Sequence, residues 1–146
     1  MCLKFLRTLN LSSVERFCIQ QSSPDPVSLG EVMEYMVNLR TLVVVNSYPY
    51  GVFMGLEVDQ LPTVRCPLLR QLVVRQDRQI YMHWNLLLPV VRDRAAHGSP
   101  LEQVTLTSSF NELPEESEYL IQELERTAKV TYTFGRNTFG WKWWEV

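Results

Sequence analysis

The sequence predicts an α/β fold, a right-handed β/α solenoid with short parallel strands on its concave side and helices and loops on its convex side. Three observations lead there. A six-residue hydrophobic pattern recurs along the chain, the intervals between its copies have the length of a helical crossover, and helix-start signals fall inside those intervals.

The pattern places an aliphatic residue at its first, fourth and sixth positions. It reads Leu6-Arg7-Thr8-Leu9-Asn10-Leu11, then Leu39-Arg40-Thr41-Leu42-Val43-Val44, Leu69-Arg70-Gln71-Leu72-Val73-Val74 and Leu101-Glu102-Gln103-Val104-Thr105-Leu106. A weaker fifth copy spans Thr127 to Tyr132, with Val130 and Tyr132 at the fourth and sixth places. Measured between the fourth places Leu9, Leu42, Leu72, Val104 and Val130, the spacings are 33, 30, 32 and 26 residues. Strand side chains alternate, so the fourth and sixth residues share the core side of a short strand while the first packs where the chain enters it. A parallel return needs a dozen or more residues, which each interval supplies.

In the first interval, Ser22-Ser23-Pro24-Asp25-Pro26 reads as a polar turn, and Ser28-Leu29-Gly30-Glu31 as a capping box that opens a helix whose apolar face carries Val32, Met33, Tyr35, Met36 and Val37. From Val45 to Pro67, Pro49, Gly51, Gly55 and Pro62 predict a loop with at most a short helical turn. A second helix is expected from about Pro89 to Ala96, closed by Gly98 as a left-handed cap. Pro114-Glu115-Glu116 opens a third, with proline in the first turn, carboxylates near the positive end of the dipole, and a stripe of Leu120, Ile121 and Leu124. The aromatic segment 135–146, with Phe139, Trp141, Trp143 and Trp144, is expected to cap the exposed end of the last repeat. The chain is thus read as one domain, 1–146, of four to five repeats without an interdomain linker.

Leu-x-x-Leu-x-Leu at these spacings resembles the leucine-rich repeat, although the asparagine or cysteine that usually follows its strand is not regularly present. Cys66-Pro67-Leu68-Leu69-Arg70-Gln71-Leu72 and Gly98-Ser99-Pro100-Leu101-Glu102-Gln103-Val104 resemble repeats of the F-box leucine-rich-repeat proteins, in particular the large fungal set of F-box-like proteins. The resemblance covers Leu6 to about Phe134. It implies a protein-binding, non-enzymatic module that serves as substrate receptor for a ubiquitin ligase. No F-box is read ahead of the first repeat, and Leu113-Pro114-Glu115-Glu116 is taken as a helix start, so binding to the F-box adaptor is not expected of this chain. An uncapped first strand over Phe5 to Leu11 further predicts poor solubility or self-association. A leucine-rich-repeat scaffold unrelated to ubiquitination is the alternative of the same class.

Composition fits a soluble protein: 146 residues, 46% hydrophobic and 21% charged, with net charge -2 and no basic cluster long enough to follow a phosphate backbone, so nucleic acid is not expected as a partner. No apolar run approaches the ~20 residues of a membrane span, and Lys4 and Arg7 interrupt any signal peptide. Cys2, Cys18 and Cys66 are odd in number and widely spaced, which suits a reducing compartment, cytoplasm or nucleus. Cys66 is expected as a buried small hydrophobe at a repeat junction, Cys18 as core of the first connection and His97 as a helix C-terminal residue. A small hydrolase using Cys66 or His83 is the reading from a different class, but nothing in the spacing brings a base to a nucleophile. No metal-ligand spacing or phosphate-binding loop is present, and neither cofactor nor metal is expected. Asn10-Leu11-Ser12, a glycosylation sequon by pattern, is read as chance within a strand.

Strand alternation places the recognition surface at the third, fifth and seventh positions of each repeat. Thr41, Val43, Val45, Gln71, Val73, Arg75, Gln103 and Thr105 are the partner-binding candidates, flanked by Thr8, Asn10 and Ser12 on one side and Thr107, Lys129, Thr131 and Thr133 on the other. Val43, Val45 and Val73 fall on neighbouring strands and are expected to expose an apolar patch beside Arg75.

Overall fold

A computed structural model describes residues 9–58, 63–76, 84–108 and 115–134. Among these residues, five strands alternate with four α-helices: β1 (Arg16–Gln20), α1 (Pro26–Glu34), β2 (Thr41–Val45), α2 (Pro49–Leu56), β3 (Gln71–Gln76), α3 (Trp84–Ala96), β4 (Gln103–Ser108), α4 (Glu115–Glu125) and β5 (Lys129–Phe134). The strands form one open parallel sheet in the order β1-β2-β3-β4-β5, so each crossover advances the chain by one strand. The architecture is α/β and compatible with a β/α solenoid.

The register carries the six-residue pattern through the sheet. Leu42, Leu72, Val104 and Val130 stand in one row, and Val44, Val74, Leu106 and Tyr132 in another. The inward residues of these rows join Leu29, Val32 and Met33 of α1, Val52, Phe53 and Leu56 of α2, Leu87 and Val91 of α3, and Leu124 of α4 in one core. All four helices therefore cover the same face of the sheet. A backbone ladder repeats with the strands: the Glu15 carbonyl accepts from the amides of Arg40 and Thr41 (2.8 and 3.1 Å), that of Arg40 from Arg70 and Gln71 (2.9 and 3.0 Å), and that of Arg70 from Glu102 and Gln103 (2.8 and 3.1 Å). Each repeat thus enters its strand in the same way.

The first repeat lies further along the chain than Leu6 to Leu11. Phe17 pairs with Leu42, and Val14, Phe17 and Ile19 hold the first, fourth and sixth places. Leu9 is exposed, and Leu11 is buried in a 3-10 turn, Leu11–Ser13, in which Asn10 Oδ1 accepts from the Ser12 amide at 3.3 Å. Asn10-Leu11-Ser12 is therefore a capped turn and not a strand. Cys18 sits in β1, half-buried on the face away from the helices, and not in a connection. A phenylalanine at the fourth place hid this repeat behind a leucine-richer string.

Helix α1 begins at Pro26, with Asp25 as N-cap: its carboxylate accepts from the Ser28 amide at 2.8 Å, while proline occupies the first turn, where no amide is needed. The capping box read at Ser28 is thereby displaced by three residues. Hydrogen bonds from the Ser28 backbone and then its side chain hold the Asp25 carboxyl below its ordinary value. A depressed folded pKa contributes stability above the unfolded pKa, and that contribution disappears as pH falls through the folded one. Asp25→Ala should lower the melting temperature at neutral pH, and the gap from wild type should close below about pH 4, the ordinary carboxylate range. Asp25→Asn, which keeps an acceptor, should melt near wild type throughout; a gap that persists in acid would remove the cap from this account.

Helix α2 replaces the expected loop. Pro49 starts it, and its two glycines allow close approach where they would otherwise weaken a helix: a Cβ on Gly51 would overlap the Pro24 carbonyl oxygen, and one on Gly55 would stand 3.5 Å from the Gly30 amide nitrogen. Helix α3 starts at Trp84, upstream of Pro89, which lies inside it and leaves the Asn85 carbonyl without an i+4 amide donor. Buried Leu87, Leu88, Val90 and Val91 hold that turn against the core. Gly98 closes the helix region at φ +75°, and Cys66 adopts φ +47° at the equivalent place, three residues before Leu69 as Gly98 is before Leu101. The likeness of those two junctions is thus conformational. In the last repeat, Ile121 and Leu124 are buried as expected, but Tyr132 is 48% exposed where a core residue was predicted. The segment 135–146 and its expected capping role lie outside the described residues.

Candidate protein-binding face

The face of the sheet that is helix-free among the described residues is built by alternation alone. Three rows cross it: Arg16, Thr41, Gln71, Gln103 and Lys129; then Cys18, Val43, Val73, Thr105 and Thr131; then Gln20, Val45, Arg75, Thr107 and Thr133. All eight predicted binding residues are brought together here. Thr41 Oγ1 donates to Gln71 Oε1 at 3.2 Å along the first row, and Gln103 Nε2 donates to Thr105 Oγ1 at 3.4 Å from the first row to the middle one. Gln71 is exposed, and Thr41, Arg75, Gln103 and Thr105 are half-buried.

The valines differ from expectation. Val43, Val45 and Val73 form a cluster with Cys18, but they are 0%, 8% and 3% exposed, so the predicted exposed apolar patch is a buried one. For the first strand, Arg16, Cys18 and Gln20 stand on this face instead of Thr8, Asn10 and Ser12; Thr8 lies outside the described residues. These three were missed with the first repeat, and the string Val14, Phe17, Ile19 was the signal that could have found them.

At the C-terminal margin of the sheet, buried polar residues tie neighbouring repeats. Ser47 Oγ lies 3.2 Å from the Ile19 carbonyl and 3.1 Å from that of Val45, and it accepts from the Ser22 amide at 3.2 Å. Gln76 Nε2 donates to the Ser47 carbonyl at 2.7 Å. The sequence carried little signal for either, because both are polar residues of types that are mostly exposed.

The chemistry-bearing residues are placed elsewhere. Cys66 is 1% exposed, its Sγ donates to the Met33 carbonyl at 3.3 Å, and burial pushes its thiol up to about 12 despite the cations of Arg94 and Arg65. A thiol so held carries almost no thiolate at neutral pH. Alkylation by iodoacetamide at pH 8 should leave Cys66 unmodified in the native protein and label it fully in urea; rapid native labelling would show the junction to be open. His97 Nδ1 lies 2.7 Å from the Asp93 carbonyl just after α3, and His83 lies outside the described residues. Among the described residues no three His, Cys, Asp or Glu side chains gather to hold a metal ion, and no helix is long and apolar enough to cross a membrane.

Comparison of the chain with protein-family models, curated proteins and solved structures gives no match. The geometry therefore carries the functional argument.

Proposed function

We propose that this chain is a leucine-rich-repeat type protein-binding module, a right-handed β/α solenoid without enzymatic chemistry whose partner docks on the helix-free sheet face. The observation that carries the reading is the shared row and face of Thr41, Gln71 and Gln103, with Arg75 and Thr105 beside them, on a sheet whose helices all pack on the other side. Small polar side chains on a rigid, repeating frame suit recognition of another protein's surface. The repeated carbonyl ladder, the paired left-handed junctions at Cys66 and Gly98, and Ser47 bonding across repeats where an asparagine or cysteine is usual all favour the repeat assignment.

Substrate recognition for an F-box type ubiquitin ligase, in cytoplasm or nucleus, is the context that the sequence resemblance favours; a repeat scaffold with no link to ubiquitin uses the same face. Affinity capture from a cell extract distinguishes the surface. Gln71→Arg combined with Thr105→Arg should abolish enrichment of a specific protein, while Gln122→Arg, an exposed change on α4, should leave it intact. Equal loss in both variants, or in neither, would place the site elsewhere. Ubiquitination of the captured protein in cells decides between the two contexts: its loss when the gene for this chain is deleted supports the ligase context, and its persistence supports the unrelated scaffold.

A further inference from the structure

Among the described residues, the three rows of the helix-free face carry Arg16, Arg75 and Lys129 and no carboxylate, in a chain whose net charge is -2. The face thus has the opposite sign to the chain as a whole. Two of its cations end a single row. The first row runs Arg16, Thr41, Gln71, Gln103 and Lys129, with a cation on β1, another on β5 and three uncharged polar side chains between them. Arg16, Gln71 and Lys129 are exposed, and Thr41 and Gln103 are half-buried, so this row is open where the valines behind it are not. The residues just before the row, Glu15, Arg40, Arg70, Glu102 and Ala128, carry two charges of each sign, and Arg70 pairs with Glu102 at 3.4 Å. They leave the two end cations to set the sign.

The middle of the row is oriented. Gln71 Oε1 accepts from Thr41 Oγ1, which leaves its Nε2 to donate outward; Gln103 Nε2 is turned to Thr105 Oγ1, which leaves its Oε1 to accept. A donor and an acceptor on neighbouring strands match the carbonyl and amide of a peptide chain. Arg16 already holds an interaction, but its five N–H donors let it take a carboxylate as well. Burial raises the Cys18 thiol and the Arg16 charge opposes that rise, which puts the guanidinium near the middle row.

We propose that the first row binds an extended acidic segment of the partner protein, laid across the strands with one carboxylate on Arg16, another on Lys129 and uncharged residues between. The inference rests on the reading of the helix-free face as the recognition surface, and it adds the chemistry of what that surface recognises. Four strand spacings separate the two cations, about 19 Å, which an extended chain covers in five or six residues of ~3.3–3.6 Å each. The segment therefore carries two Asp or Glu residues five or six positions apart. Each exposed ion pair contributes little alone, so selectivity comes from engaging both ends at once. An arginine introduced at Gln71 meets the uncharged middle of the segment and blocks the row by its bulk, as the capture experiment above requires.

The probes are fluorescent Gly-Ser peptides of about twelve residues with two glutamates placed two, five or nine positions apart, titrated with the full chain at low salt and read by anisotropy. The five-apart peptide should bind at least fivefold more tightly than the other two. That advantage should shrink at ~1 M salt, where charges are screened beyond ~3 Å, and disappear in Arg16→Ala with Lys129→Ala. Equal binding at all three spacings, no binding of any peptide, or a preference that survives the double variant overturns the proposal. Tighter binding of a labelled oligothymidylate than of any peptide also overturns it, and makes the row a nucleic-acid surface. The spacing series is read on the unaltered chain, so it decides even if the double variant does not fold. Partner capture lost in Gln71→Arg with Thr105→Arg but unchanged in folded Arg16→Ala with Lys129→Ala refutes the acidic segment alone; capture unchanged in both refutes the binding face itself.

Discussion

Gly51→Ala is expected to destabilise the protein by about 2–3 kcal/mol, the range of an overpacked core, even though alanine is the better helix former by ~1 kcal/mol. The added Cβ falls on the Pro24 carbonyl oxygen, a backbone atom in the turn that leads to the Asp25 cap, so no side chain can swing away to admit it. Relief requires α2 to lift from α1, which opens the contacts of Val52, Phe53 and Leu56 with Leu29 and Met33 in the shared core. Gly55→Ala is the internal control. Its Cβ would meet the Gly30 amide nitrogen at 3.5 Å and Leu29 Cγ at 3.6 Å, ordinary contact distances, so the change should be neutral or stabilising by up to ~1 kcal/mol through helix propensity. Urea unfolding of both variants gives the comparison, and equal losses at the two positions would contradict the close approach at Gly51.

Arg94→Met should cost about 3 kcal/mol, because each hydrogen bond to a charged group contributes ~1.5–3 kcal/mol and relief of desolvation offsets part of the loss. Arg94 is 0% exposed, and its guanidinium donates to the Arg65 carbonyl at 2.7 Å through Nη1 and to the Cys66 carbonyl at 2.8 Å through Nη2. It thereby pins the turn that enters β3, where Cys66 is held at positive φ. Desolvation pushes its pKa down to about 10, which measures how reluctantly the interior holds the cation, yet it remains charged at neutral pH. Arg94→Lys should recover less than half of the loss, since an ammonium cannot span two carbonyls as a planar fork does. Full recovery by lysine, measured in the same urea series, would mean that charge alone matters and that the fork geometry does not.

These two positions show what the sequence could and could not convey. The hydrophobic period located β2, β3 and β4 in their true register, because aliphatic residues at the first, fourth and sixth places are a local requirement of a strand packed on one side. Helix α4 was legible for the same reason, with acidic residues at its start and Ile121 and Leu124 inward. Helix α2 was not, because Pro49, Gly51 and Gly55 are breakers by local propensity, and only the proximity of Pro24 and Gly30 turns them into a packing surface. Arg94 gave no sign of burial, since its partners, Arg65 and Cys66, lie 29 and 28 residues away. The binding face was legible as a set of alternating positions, but the burial of its valines was not. Alternation says which way a side chain points and nothing about what lies above it.

The claim that the helix-free face is the recognition surface is tested most directly by the affinity of a captured partner for the wild type and for Gln71→Arg with Thr105→Arg, measured by titration calorimetry on folded protein. The expected result is at least tenfold weaker binding, ~1.4 kcal/mol, with no change for Tyr48→Ala or Tyr50→Ala in the loop after β2 and the first turn of α2. An unchanged dissociation constant for the sheet-face variant, together with a loss in either tyrosine variant, would contradict it and move the site to that loop.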